Sequence, residues 1–134
     1  MMLNKDLKGK VKKIKFFISD VDGVLTDAGM YYTEEGDEFK KFNTRDGGGF
    51  LLLSLVGIES ALITQERTKI VERRAKKLGL GLIQGAKNKV ESLYTLINGK
   101  NFEVSEVSYI GDDINDIPIM KVVGFSIAVA DACK

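Results

Sequence analysis

Strand-length apolar runs alternating with helix-length segments constrain this chain more than any other feature. The strand-like runs are "KIKFFIS" (13–19), "IESALIT" (58–64), a short "LIQGA", "EVSYIG" (106–111) and "FSIAVA" (125–130). Between them, apolar residues recur at helical spacing. "GGGFLLLSLVG" (47–57) runs from glycines to a glycine stop. "RTKIVERRAKKLGL" (67–80) brings Ile70, Val71, Arg74, Ala75 and Leu78 onto neighbouring faces before Gly79. "KVESLYTLING" (89–99) repeats the pattern with Val90, Leu93, Tyr94 and Ile97, and a short helix follows around "DIPIMKVVG". This rhythm predicts an α/β domain built on a doubly wound parallel sheet with helices on both faces. One element breaks it. "GMYYTEEGDEFKKFN" (29–43) reads as a β-hairpin turning at "EEGD".

The 134 residues suit one domain, spanning 1–134, with a real core. Charge is balanced, with 20 basic and 19 acidic residues, so nothing favours a nucleic-acid partner. The run Lys8, Lys10, Lys12, Lys13, Lys15 reads as a solvated flank of the first strand. No apolar stretch approaches membrane-spanning length and no signal-peptide pattern opens the chain, so a cytoplasmic protein without a membrane partner is expected. The single cysteine, Cys133, permits no internal disulfide. There is no histidine. Ser-His-Asp and Cys-His mechanisms and imidazole metal sites are therefore excluded.

In a parallel sheet, ligands bind outside the carboxyl ends of the strands. Here those ends are reactive. The first run ends in Asp20-Val21-Asp22, the second in Thr64-Gln65-Glu66, and the third in Gly111-Asp112-Asp113, with Asn115 and Asp116 close behind. Lys89 opens the helix after "QGAKN". Clustered carboxylates without histidine favour a hard cation such as Mg²⁺. A metal beside a lysine and a helix start favours a phosphate. A carboxylate can attack phosphorus, so Asp20 fits an ionised nucleophile and Asp22 a proton donor to the leaving alcohol. Alone, each element has a plainer reading: a strand-end turn for "DVDG", a helix cap for "GDDIND", a β-former for Thr64, a solvated lysine for Lys89. Their conjunction at strand ends favours chemistry.

The motifs "DVDGVLTD", "LIT", "NK" and "GDDIND" resemble the four motifs of the haloacid dehalogenase superfamily of phosphatases. "KKFNTRDGGG", "VERRAKKLGL", "IQGAKNK" and "AVADA" extend the likeness over nearly the whole chain, toward phosphatases of eight- and nine-carbon keto-deoxy sugar acids. The resemblance implies a Rossmann-like fold without a separate cap domain and with a protruding hairpin. It implies Asp20 as nucleophile and Asp22 as general acid/base. Mg²⁺ would be held by Asp20, Asp112 and the Asp22 carbonyl, with Asp113 and Asp116 ordering its surroundings. Thr64 and Lys89 would hold the phosphate. It also implies a homotetramer joined through the hairpin arm, with neighbours roofing each other's sites.

The substrate signals are mixed. Octulosonate phosphatases commonly read Thr-Gly-Arg in the second motif, where this chain has Thr64-Gln65-Glu66. Glu66, with Arg74 and Lys77, resembles the nine-carbon branch. Arg45, in the run Arg45-Asp46-Gly47, points to the eight-carbon enzymes. All six are candidate substrate contacts. Relatives of this kind continue past "VADA", and that continuation helps close a neighbour's site. Two readings compete with a sugar-phosphate phosphatase. A non-catalytic assembly module should lack an essential acid, and a phosphoacceptor receiver domain should carry its acceptor aspartate on a mid-chain strand.

Overall fold

The computed structural model describes residues 5–133. Along the chain run α1 (Lys5–Val11), β1 (Phe16–Ser19), β2 (Tyr31–Tyr32), β3 (Glu38–Phe39), α2 (Thr44–Leu55), β4 (Glu59–Ile63), α3 (Lys69–Leu78), β5 (Gly81–Ile83), α4 (Lys89–Ile97), β6 (Val107–Gly111), α5 (Ile117–Met120) and β7 (Phe125–Ala128). Among the described residues five strands form one parallel sheet, ordered β5-β4-β1-β6-β7. Ile18 of β1 lies level with Ala61 of β4 and Tyr109 of β6. From β1 the chain first builds outward through β4 and β5, then returns to add β6 and β7. That reversal opens a crevice at the carboxyl ends of the three central strands.

Side-chain alternation along each strand feeds two cores. Phe16, Ile18, Ala61, Ile63, Val107 and Tyr109 face one side, where Leu93 of α4 and Ile119 of α5 cover them. Leu62 faces the other, with Val21 and Leu25 from the following loop, Phe50 of α2 and Val71 and Ala75 of α3. Ile18, Leu62, Ile63 and Leu93 are fully buried, and each such side chain contributes about 1.5–3 kcal/mol by leaving water. Local signals agree with the packing. Thr68 accepts a hydrogen bond from the Val71 amide to start α3, and Gly79 ends it at φ 68°.

Boundaries differ most from the expectations in two places. The first strand begins at Phe16 rather than at residue 13, and residues 5–11 ahead of it form a helix. Asp6 near its start and Lys8 and Lys10 near its end match the helix dipole, but none of its residues is buried, so no apolar periodicity announces it. The helix expected from 47 starts at Thr44, because the Asn43 side chain caps it by accepting from the Arg45 amide. Arg45, Asp46 and Gly47 thus lie in its first turn.

The hairpin pairs Tyr31 with Phe39 and Tyr32 with Glu38, and a bridge between Thr26 and Phe42 continues it toward the sheet. The Thr33 amide donates to the Asp37 carbonyl across the turn, where Gly36 takes φ 89°. Tyr31, Tyr32 and Phe39 remain exposed.

Candidate active site

Three neighbouring strands each deliver a side chain immediately past their last residue: Asp20 after β1, Thr64 after β4 and Asp112 after β6. Lys89, the first residue of α4, rises among them. With Asp22, Gln65, Glu66, Asp113 and Asn115 they line a crevice of about 540 Å³. Met30 and Ala28, at φ 58°, close its hairpin side.

A buried ion network forms its floor. The Lys89 ammonium lies 2.5 Å from Asp116 Oδ1 and 3.0 Å from Asp20 Oδ2. The Tyr109 hydroxyl donates to Asp116 Oδ1 at 2.6 Å. The amides of Asp112 and Asp113 donate to Asp116 Oδ2 at 3.0 and 3.2 Å. Burial alone would raise the pKa of Asp116, but the hydrogen bonds from Lys89 and Tyr109 outweigh it and hold the group below its usual range. Tyr109 is the reverse case. Burial, then the Asp20 charge, push its phenol up, so it stays a donor.

Asp20 carries the opposite perturbation from Asp116. Burial pushes its carboxyl up to about 7, with Lys89 pulling down and Asp116 pushing further. Its Oδ1 accepts from the Val21 amide at 2.8 Å. Asp112 is likewise raised, by burial and then by Asp116 and Asp113. Its Oδ1 is buried without a hydrogen-bond partner among the described residues. One oxygen each from Asp20, Asp112 and Asp116 lies within 4.8 Å of the others. Both oxygens of Asp116 and of Asp20 already meet donors inside the protein, which leaves Asp112 Oδ1 as the oxygen of the cluster without one. An orphaned buried oxygen in an all-carboxylate cluster fits a hard divalent cation. Gly23 keeps the space open: at φ 85°, a Cβ there would collide with Asp112 Oδ2.

A family profile described as haloacid dehalogenase-like hydrolase matches residues 57–134. The 3-deoxy-D-manno-octulosonate 8-phosphate phosphatase of Escherichia coli (strain K12) is 41% identical over 131 residues, covering 97% of this chain and 70% of that protein. The chain belongs to the haloacid dehalogenase-like hydrolases. The crystal structure of the Yersinia pestis 3-deoxy-D-manno-octulosonate 8-phosphate phosphatase matches with a TM-score of 0.93 at 40% identity, over 97% of this chain and 71% of that one. The Moraxella catarrhalis phosphatase of the same name, solved with magnesium, phosphate and KDO, matches with a TM-score of 0.93 at 39% identity, over 98% and 76%.

Of the residues expected from this hydrolase's sequence, Asp20, Asp22, Thr64, Glu66, Lys89, Asp112, Asp113 and Asp116 converge. Thr64 is buried, and its hydroxyl accepts from the Glu66 amide at 3.3 Å. Asp113 is exposed and caps the turn Ile114–Asp116 by accepting from the Ile114 amide. The crevice does not gather Arg45, Asp46, Gly47, Arg74 or Lys77. Arg74 turns to the hairpin base instead, donating to the Asn43 carbonyl at 2.8 Å with its guanidinium 5.3 Å from the Phe42 ring centroid. Arg45 and Asp46 border a separate apolar depression with Leu52 and Leu53, and Lys77 is solvated. Two participants were not anticipated. Tyr109 reads as plain core within "VSYIG". Lys40 stands beside solvated Lys41, and only its parity with Glu38 along the hairpin separates the two.

Proposed function

We propose that this chain is a cytoplasmic, Mg²⁺-dependent phosphomonoesterase that cleaves 3-deoxy-D-manno-octulosonate 8-phosphate or a closely similar keto-deoxy sugar acid phosphate through an aspartyl-phosphate. One observation carries the reading: Asp20, Lys89 and the orphaned Asp112 oxygen meet at the carboxyl ends of three central strands. The named relatives favour the eight-carbon ester over the nine-carbon one. Asp20 attacks phosphorus while Asp22 protonates the departing alcohol, and Asp22 then takes the proton of the attacking water. Lys89 and the Thr64 hydroxyl bind phosphate oxygens, and Lys89 offsets charge as the phosphoryl group moves. Asp20, Asp112 and the Asp22 carbonyl hold Mg²⁺, which adds positive charge against the phosphate, while Asp113 and Asp116 order the surrounding loop.

Purified protein should release phosphate from the eight-carbon ester with Mg²⁺ and lose that activity with a chelator. No release from either the eight- or the nine-carbon ester would sink the reading. The domain extends over 1–134 in this reading and assembles as a tetramer through the hairpin arm. Exposed Met30, Tyr31, Tyr32 and Phe39 support the assembly. Arg45, Asp46 and Lys77 then serve a neighbour's crevice, while Arg74 stays on the Asn43 carbonyl and the Phe42 ring of its own chain. A monomer mass by light scattering would remove this part.

Mg²⁺ uptake should depend steeply on pH. Asp20 keeps its proton up to about 7, and cation binding requires the carboxylate. Affinity therefore rises with pH through about 7 and levels off above it. Below that point the apparent dissociation constant for Mg²⁺ should rise up to about tenfold per pH unit. Calorimetry near pH 6 in buffers of different ionisation enthalpy should show about one proton released per Mg²⁺ bound. No proton release at that pH would contradict it.

A further inference from the structure

Lys40 follows β3 of the hairpin, and its side chain is only 3% exposed. Its ammonium meets Asp22 Oδ1 at 2.5 Å, Glu66 Oε2 at 2.8 Å and Glu38 Oε1 at 3.3 Å. These acids come from the loop after β1, the loop after β4 and the hairpin itself. A buried ammonium needs a counter-charge, but one carboxylate would meet that need. The surplus lies at the crevice: Asp22 and Glu66 both line it, and without a cation between them they repel.

We propose that Lys40 is a positioning residue for ester cleavage, fixing Asp22 and Glu66 on the side of the crevice where the leaving alcohol departs. The inference rests on reading the site as a phosphoryl-transfer centre. Asp22, anchored through Oδ1, presents Oδ2 to the reacting oxygen at a place set by the hairpin. In the first step a bond forms between an Asp20 oxygen and phosphorus, the bond from phosphorus to the alcohol oxygen breaks, and that oxygen takes the Asp22 proton. In the second, a water oxygen bonds to phosphorus, its proton passes to Asp22, and the bond to Asp20 breaks, freeing inorganic phosphate. Glu38 and Glu66 remain beside Lys40 throughout, so the ammonium keeps partners when Asp22 carries the proton.

Two esters separate positioning of the acid from a merely structural role. The value of kcat/KM reports events up to departure of the leaving group. p-Nitrophenolate departs unprotonated, whereas the alkoxide of the sugar ester needs the proton. Lys40→Met should lower kcat/KM about 10²-fold on 3-deoxy-D-manno-octulosonate 8-phosphate, and at least tenfold less on p-nitrophenyl phosphate. Where Lys40→Met gives no cooperative melt, Lys40→Gln carries the same comparison. Equal losses on the two esters, or no loss on either, overturn the proposal. Failure of the unmutated protein on both esters with Mg²⁺ present overturns the functional reading instead.

Discussion

Asp20→Asn should abolish phosphate release, by about 10⁴-fold or more, without unfolding the protein. The amide has almost the same shape, and its oxygen can still accept from the Val21 amide that Asp20 Oδ1 now engages at 2.8 Å. It cannot form an aspartyl-phosphate, and loss of a covalent nucleophile removes the route rather than slowing one step. The effect on stability runs the other way. Asp20 is buried close to Asp116, and both burial and that neighbour disfavour its charge. Removing the charge relieves a like-charge pair while Lys89 keeps its 2.5 Å contact to Asp116. The thermal midpoint should therefore hold or rise, most clearly above pH 7, where Asp20 is ionised. Phosphate release and thermal melts on the same preparation check both halves. Activity within about tenfold of the unmutated protein would eliminate the covalent mechanism.

How legible this site is in the sequence varies with the kind of residue. Asp20, Thr64 and Asp112 stand out because each ends an apolar run, and a parallel sheet gathers such ends at one edge. Lys89 follows from its place at a helix start. The helix over residues 5–11 leaves no apolar trace, since apolar periodicity marks only helices that bury a face, and this one buries none. Lys40 is hidden for a related reason. Local composition does not separate it from Lys41, and only the hairpin's docking against the loops after β1 and β4 makes one lysine buried and the other solvated. Arg74 shows the limit from the other side. Helical spacing places it on a face of α3, but what that face meets is tertiary, and in this chain it meets Phe42 and the Asn43 carbonyl. Tyr109 is legible as core and illegible as a donor, because its hydroxyl matters only once Asp116 folds back beneath it.

Lys89→Met should remove both activity and a large part of the stability. The Lys89 side chain is 3% exposed, its ammonium stands between Asp20 and Asp116, and the Asp116 side chain is fully buried. Methionine fills a similar volume but leaves Asp116 with one hydroxyl and two amides and no cation. Breaking a buried ion pair from one side costs about 3–5 kcal/mol, which for a domain of this size lowers the melting midpoint by about 10–20 °C. The deficit has a predictable sign with pH. Lys89 is the group that lowers the Asp20 pKa against burial, so without it Asp20 holds its proton to higher pH. Protonated carboxyls need no counter-charge, and the variant should recover stability relative to the unmutated protein as pH falls toward about 7 from above, where its Asp20 is protonated and that of the unmutated protein is still ionised. Turnover follows a separate logic: with no cation beside the attacking oxygen, the charge spread over the phosphoryl group loses its partner, and phosphate release should fall about 10³-fold even where the fold is restored. Melts across pH, paired with phosphate release at the pH of greatest stability, separate the two effects. A variant that melts with the unmutated protein would show that the buried acids do not depend on Lys89, and one that keeps its turnover would take Lys89 out of the chemistry.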